Sequence, residues 1–188
     1  EVRKQAKKRG LRVTGSELVG LIPLDSLLEA GKYYLNEQNK SSGVSDNQLI
    51  HIAVKSMGLD EMYPFNNNEK IIDYMIDDSE KLIDQTISNF SDEVSSDSPA
   101  PGGGSISALA GSLSASLISM VANLSYDKKQ FTDKVKINSI ACAAQKLKNN
   151  FLVLIDRDTR AFNDLMSSFR LPKKTDQEID FRNKEIIK

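Results

Sequence analysis

The chain has 188 residues, of which 39% are hydrophobic and 27% charged, with a formal net charge of −1. Those proportions are ordinary for a folded globular protein, and the near-neutral balance excludes a global electrostatic pull toward nucleic acid or anionic lipid. A single cysteine, Cys142, excludes an intrachain disulfide and fits a reducing compartment; with a single histidine, His51, it excludes a Cys/His cluster or a His-pair metal centre.

Residues 1–10 predict a helix closed by Gly10, whose basic run reads as a solvated face. Residues 11–22 (LRVTGSELVGLI) alternate apolar and polar positions and predict a strand ended by Pro23. One strand cannot satisfy its own backbone groups, so it is expected to take partners from elsewhere. Asp25 is expected to cap a helix running to about Asn36, and 37–44 (EQNKSSGV) reads as a polar loop. Ser45-Asp46-Asn47-Gln48 is a capping box, and Gly58 closes the helix that it opens. His51, in the middle of that helix, reads as packed or solvated.

Pro64 and the asparagines at 66–68 mark a connection, set here at 63–78 between a segment 1–62 and a helical segment 79–188. In the helical segment Ile83, Ile87, Phe90 and Val94 form one seam. A Pro/Gly-rich turn covers 97–105, a small-residue helix 105–125, and a long helix about 132–169 that stops before Pro172. Thr175-Asp176-Gln177-Glu178 is a second capping box. The uncharged run from Ser105 to Tyr126 is long enough to span a bilayer, yet its serines and asparagine favour a bundle helix. Both termini fall inside helix-like stretches, so the folding unit is expected to exceed this chain. The fold class expected is mainly α, an N-terminal α/β remnant followed by an all-α bundle.

The long helix carries the residue with most chemical promise. Ile140, Ala144, Leu147, Phe151, Leu154, Phe162, Leu165 and Phe169 step by three or four, except for a gap of eight filled by Asp158. A carboxylate on an apolar stripe must take a proton, find a partner or line a polar cleft. A catalytic carboxyl and a structural one, bonded to a neighbouring helix or to Arg157, both fit. Asp156, Arg157, Arg160 and Asp164 are expected on solvated faces.

In the turn, Gly102, Gly103 and Gly104 let backbone approach closely, and Ser105 is expected as an N-cap whose free N–H groups attract anions. A tight helix–helix corner is the structural alternative. It is not a phosphate loop, because GGGS lacks the Lys-Ser/Thr ending and no strand precedes it. Ala108, Gly111, Ser112, Ala115, Ser116, Ser119 and Ala122 form a smooth side of the next helix that suits close packing in a core or subunit interface. Ile106, Leu109, Leu113, Leu117, Met120 and Leu124 form its bulky side.

Residues 13–35 (VTGSELVGLIPLDSLLEAGKYYL) and 53–75 (AVKSMGLDEMYPFNNNEKIIDYM) resemble the C-terminal end of glutamate formimidoyltransferases and the connector after it. Residues 96–131, with PAPGGGS, and 154–175 (LIDRDTRAFNDLMSSFRLPKKT) resemble formimidoyltetrahydrofolate cyclodeaminases. The resemblance implies a bifunctional enzyme of histidine breakdown. It would move a formimidoyl group from N-formimidoyl-L-glutamate to tetrahydrofolate, then close the ring to 5,10-methenyltetrahydrofolate and release ammonia. It implies a polyglutamylated tetrahydrofolate co-substrate, no metal, no nucleic-acid or membrane partner, a cytoplasmic setting and homo-oligomers built through the helical part. The family's catalytic aspartate matches Asp158, and the turn at Gly102, Gly103, Gly104 and Ser105 is implied in shaping the folate cleft or binding a carboxylate of its glutamate tail. The transferase's catalytic histidine has no match here, so little activity is expected of these residues alone. Two other readings stay open: a methenyltetrahydrofolate cyclohydrolase, and a non-catalytic helical assembly module.

Overall fold

The computed structural model describes residues 2–13, 15–76 and 81–187. Thr14, inside the expected strand, and the expected boundary at 78/79 lie outside them. Contacts divide the chain into two compact units, Glu1–Ser79 with Ile118–Gln145, and Glu80–Leu117 with Lys146–Lys188.

In the first unit, α1 (Val2–Lys8) ends where Gly10 turns left-handed at φ 70°. Helix α2 (Leu24–Glu37) packs against α3 (Asp46–Met57) closely enough that a Cβ on Gly31 would overlap the Leu49 backbone. Leu27, Ile50, Ala53, Val54 and Ile71 form the core between them. Pro23, not Asp25, occupies the N-cap of α2; proline cannot cap through its side chain, and the Leu24 N–H instead donates to Asp73 Oδ2 at 2.7 Å. The α3 signals hold as read, with Ser45 Oγ accepting from the Gln48 N–H and Gly58 in the left-handed region.

The expected strand at 11–22 is not formed among the described residues. The one β contact there is a parallel bridge of Ile22 with Ile71, in which Ile22 N–H donates to Lys70 O and Ile72 N–H to Ile22 O. The described residues of the segment otherwise have no regular structure and no strand beside them, and a lone strand has no ladder to join. So the mainly α reading holds, and the α/β remnant is not seen. The stretch read as a connection carries two short helices, α4 (Asn67–Lys70) and α5 (Ile72–Ile76), with Ile71 between them fully buried.

The polar loop at 41–43 is the best-ordered surprise of this unit. Ser41 and Ser42 are buried, and Asn138 Oδ1 accepts from the Ser42 N–H at 2.7 Å and from Ser41 Oγ at 3.1 Å. Gly43 O accepts from Asn123 Nδ2 at 2.8 Å and Ser119 Oγ at 3.1 Å, while Gln145 Nε2 donates to Ser119 Oγ at 2.9 Å. A Cβ on Gly43 would overlap Ala141. Every partner of this loop lies on α7 (Gly103–Tyr126) or α8 (Lys134–Phe169).

In the second unit a 3-10 turn (Leu82–Asp84) and α6 (Ile87–Val94) pack on α7 and α8 through Phe90, Ala108 and Ile155. Of the expected seam, Phe90 is buried but Ile87 is 88% exposed. Helix α9 (Asp176–Ile187) opens on a complete capping box, Thr175 N–H donating to Glu178 Oε2 at 3.0 Å and Glu178 N–H to Thr175 Oγ1 at 3.3 Å.

Helix α7 buries one line of small side chains. These are Ser105, Ala108, Ser112, Ala115, Ser119 and Ala122, while Leu113, Leu117, Met120 and Leu124 are exposed. The smooth side packs as read; the bulky side does not, so α7 is not the wholly buried helix expected. Among the described residues α7 alone is long and apolar enough to cross a membrane. On α8 the buried positions are Ala141, Ala144, Ile155 and Asp156; of the expected stripe Ala144 is buried, while Ile140, Leu147, Leu154 and Asp158 are exposed.

Candidate functional site

The first turn of α7 and the middle of α8 meet at Asp158. The helix starts at Gly103, so Ser105 is its third residue and not the expected N-cap. The helix begins early because Gly102 O already accepts from the Ile106 N–H at 3.1 Å. The Ser105 N–H is therefore one of the donors that a helix start leaves without an intrahelical partner. Asp158 Oδ2 accepts it at 2.9 Å, and lies 3.2 Å from Ser105 Oγ. An anion from α8 thus satisfies the positive end of α7.

Ser105 is completely buried. Its hydroxyl has one proton and three neighbours: Ile155 O at 2.9 Å, Thr159 Oγ1 at 3.1 Å and Asp158 Oδ2. Donation to Ile155 O leaves the oxygen free to accept from Thr159, and Asp158 keeps the backbone N–H. Gly104 allows this approach, because a Cβ there would overlap both carboxylate oxygens of Asp158. Gly102 and Gly103 make no such contact: a Cβ on Gly103 would meet nothing within 4 Å, and one on Gly102 only Pro99 O at 3.6 Å. Of the expected quartet, then, Gly104 and Ser105 meet Asp158, and Gly102 and Gly103 shape the entry to the helix. The preceding Ala100-Pro101 bond is cis.

Asp158 itself is exposed, contrary to its expected place on a buried stripe. The buried carboxylate is Asp156, 7% exposed, expected in solvent; its Oδ1 accepts from the Leu82 N–H at 2.7 Å and anchors the 3-10 turn. The displacement has a simple cause. A helix packed against a smooth neighbour turns its small residues inward, so ranking positions by bulk selects the adjacent face. The small residue at 141, beside the expected position 140, carried that signal.

Asp158 opens onto a cleft of about 420 Å³, lined on α7 by Gly104, Ser107 and Ala108 and on α8 by Phe151, Leu154, Arg157 and Ala161. Ligand sites of this kind run from about 300 to 1,000 Å³ and combine apolar walls with a few polar groups. Here the polar groups are one hydroxyl, one cation and one carboxylate. The Phe151 ring lies over Gly111, where a Cβ would come within 2.9 Å of it. Sequence reasoning missed Phe151 and Arg157 as cleft residues.

Comparison with known proteins covers nearly the whole chain. A family model described as formiminotransferase-cyclodeaminase matches residues 86–188, and one described as formiminotransferase domain matches residues 1–77. The chain is 37% identical over 190 residues to the formimidoyltransferase-cyclodeaminase of Mus musculus, covering 97% of this chain and 34% of that protein. It is 36% identical over 187 residues to the protein of the same name from Gallus gallus, again 97% and 34%. It is 35% identical over 95 residues to the methenyltetrahydrofolate cyclohydrolase of Methylorubrum extorquens, 50% of this chain and 46% of that protein. The chain spans about a third of the length of the formimidoyltransferase-cyclodeaminases it matches.

Proposed function

The chain belongs to the formiminotransferase-cyclodeaminase family, and from that premise we propose that it forms the junction of a bifunctional folate enzyme. In this reading 1–62 ends the transferase domain, 63–78 connects, and 79–188 begins the cyclodeaminase. Residues 11–22 pair, in the whole protein, with transferase strands outside this chain. The whole protein moves formimidoyl from N-formimidoyl-L-glutamate to tetrahydrofolate and cyclises the product to 5,10-methenyltetrahydrofolate with loss of ammonia. Its folate is polyglutamylated, its setting cytoplasmic. The observation that carries the reading is the two family matches in this order within one chain.

Asp158 is proposed as the proton carrier of the second step. The formimidoyl group enters as its protonated cation; N10 of the folate attacks its carbon, forms the new C–N bond and becomes positively charged while the imine nitrogen becomes an amine. The N10 proton passes to the Asp158 carboxylate, which returns it to the departing nitrogen as the old C–N bond breaks. Ammonia leaves and the methenyl cation keeps the charge. What supports this is geometry: a carboxylate fixed by the Ser105 N–H at the edge of an open cleft. In the full-length protein, Asp158→Asn keeps an oxygen to accept the Ser105 N–H but cannot carry the proton. Ring closure, followed by methenyl absorbance and ammonia release, should fall about 10²- to 10⁴-fold with an unchanged unfolding midpoint. A normal rate from the folded variant removes Asp158 from the mechanism.

The likeness of half the chain to a methenyltetrahydrofolate cyclohydrolase supports a second reading. A protein that forms no methenyl product from tetrahydrofolate and formimidoylglutamate, yet hydrolyses added methenyltetrahydrofolate, would follow it. Homo-oligomerisation through the helical part is proposed for either reading, supported by Leu113, Leu117 and Leu124 standing exposed on α7. On an assembly-only reading these residues would be the whole function, and formation of product in the assay would exclude it.

A further inference from the structure

Three consecutive charged residues on α8 divide their work. Asp156 holds the 3-10 turn and Asp158 holds the first turn of α7. Arg157, between them, lines the cleft and makes no ion pair or hydrogen bond among the described residues. It is also the only cation lining that cleft. The rest of the wall is apolar: Phe151, Leu154, Ala108 and Ala161. Ser107 Oγ donates to Gly103 O at 2.7 Å, so its proton is already engaged. The cleft therefore offers one aromatic and aliphatic wall, one guanidinium fork and one carboxylate, with Phe151, Leu154, Arg157 and Asp158 all on α8. That set complements a ligand that carries a flat ring, an anionic end and a basic nitrogen.

We propose that Arg157 is the residue that binds the carboxylate of the folate's glutamyl end, with Phe151 and Leu154 against the adjoining ring, so that the reacting nitrogens lie at Asp158. The proposal rests on the folate reading of the Asp158 cleft. A planar guanidinium forms two parallel hydrogen bonds to a carboxylate, which fixes the direction of the ligand as well as its affinity. Among the described residues Arg157 has no competing partner to leave. It touches no reacting atom, so its loss acts on binding.

The test uses the full-length protein and two substrates, 5-formimidoyltetrahydrofolate and its analogue lacking the glutamate. Arg157→Gln should raise KM for the first about 10- to 100-fold, leave kcat within about threefold, and leave KM for the analogue unchanged. Arg157→Lys should recover part of the loss. Equal effects on both substrates, or none on either, overturn the proposal. Asp158→Asn, assayed in parallel, separates the two readings: a fall in its kcat alongside an unaltered Arg157→Gln keeps the catalytic reading and removes only this one.

Discussion

Gly104 and Asp158 constrain each other, since the absence of a Cβ on one makes room for the carboxylate of the other. Gly104→Ala should displace that carboxylate by an ångström or so, which is enough to cost about 10²-fold in turnover. The expected pattern is a lowered kcat for ring closure with binding and far-UV circular dichroism preserved; an unchanged kcat would show that the position of Asp158 is not critical. A different pair governs pH. The Lys55 ammonium, 2.5 Å from Asp60, holds the Asp60 carboxyl below its usual range, and Asp60 raises Lys55 in return. A depressed acid stabilises the fold above its unfolded pKa and a raised base below its own, so the pair contributes between about pH 4 and about pH 10.5. Asp60→Asn should lower the unfolding midpoint inside that window, and the difference from the parent should vanish as pH falls below it. Asp158 was legible in the sequence, but as a member of a buried stripe; the structure leaves it exposed and bonded to a helix start. The charge-bearing residues of the helix could be counted in advance. Which of them faced inward could not, because that depends on the neighbouring helix.

At the scale of elements, the ends were more readable than the faces. Ser45, Gly58 and Thr175 act where their side chains and backbone preferences placed them, because caps are settled within four residues. The segment at 11–22 forms no strand among the described residues, since its pattern says nothing about whether a partner is present. The loop at 41–43 was under-read: a run of small polar residues looks solvated, yet here its serines and its glycine are received by Asn138, Ser119 and Asn123. Gly43→Ala measures how tightly. The methyl group would gain about 0.4–1 kcal/mol from the unfolded chain, but the overlap with Ala141 should cost about 1–3 kcal/mol. The net expectation is destabilisation in chemical denaturation of the full-length protein; a gain in stability would mean that α8 yields freely at Ala141.

For the whole molecule, the exposed side of α7 sets the main expectation. Leu117 is 58% exposed and Leu124 63%, although each would be stabilised by burial. If they lie at a subunit contact, Leu117→Asp with Leu124→Asp puts unpaired carboxylates into it, an unfavourable placement. Sedimentation should then show a smaller assembly with helical content intact, whereas an unaltered assembly would locate the contact elsewhere. Mainly helical architecture and the order of the two family parts were legible from composition and motif. The division of the chain into compact units was not, because it cuts through α7 and α8 and is set by packing rather than by the sequence between them.

The seating of Ser41, Ser42 and Gly43 also bears on modularity. Family borders suggest a gene that could be cut between residues 77 and 86 and its products kept as independent parts. Such a cut would separate a plug from its socket, baring the amides of Asn123 and Asn138 on one product and two buried serines on the other. Two products so made are complementary fragments. Expressed together they have a polar key by which to find each other, and any rearrangement of this gene that swaps one part for a foreign one inherits a lock that the newcomer does not fit.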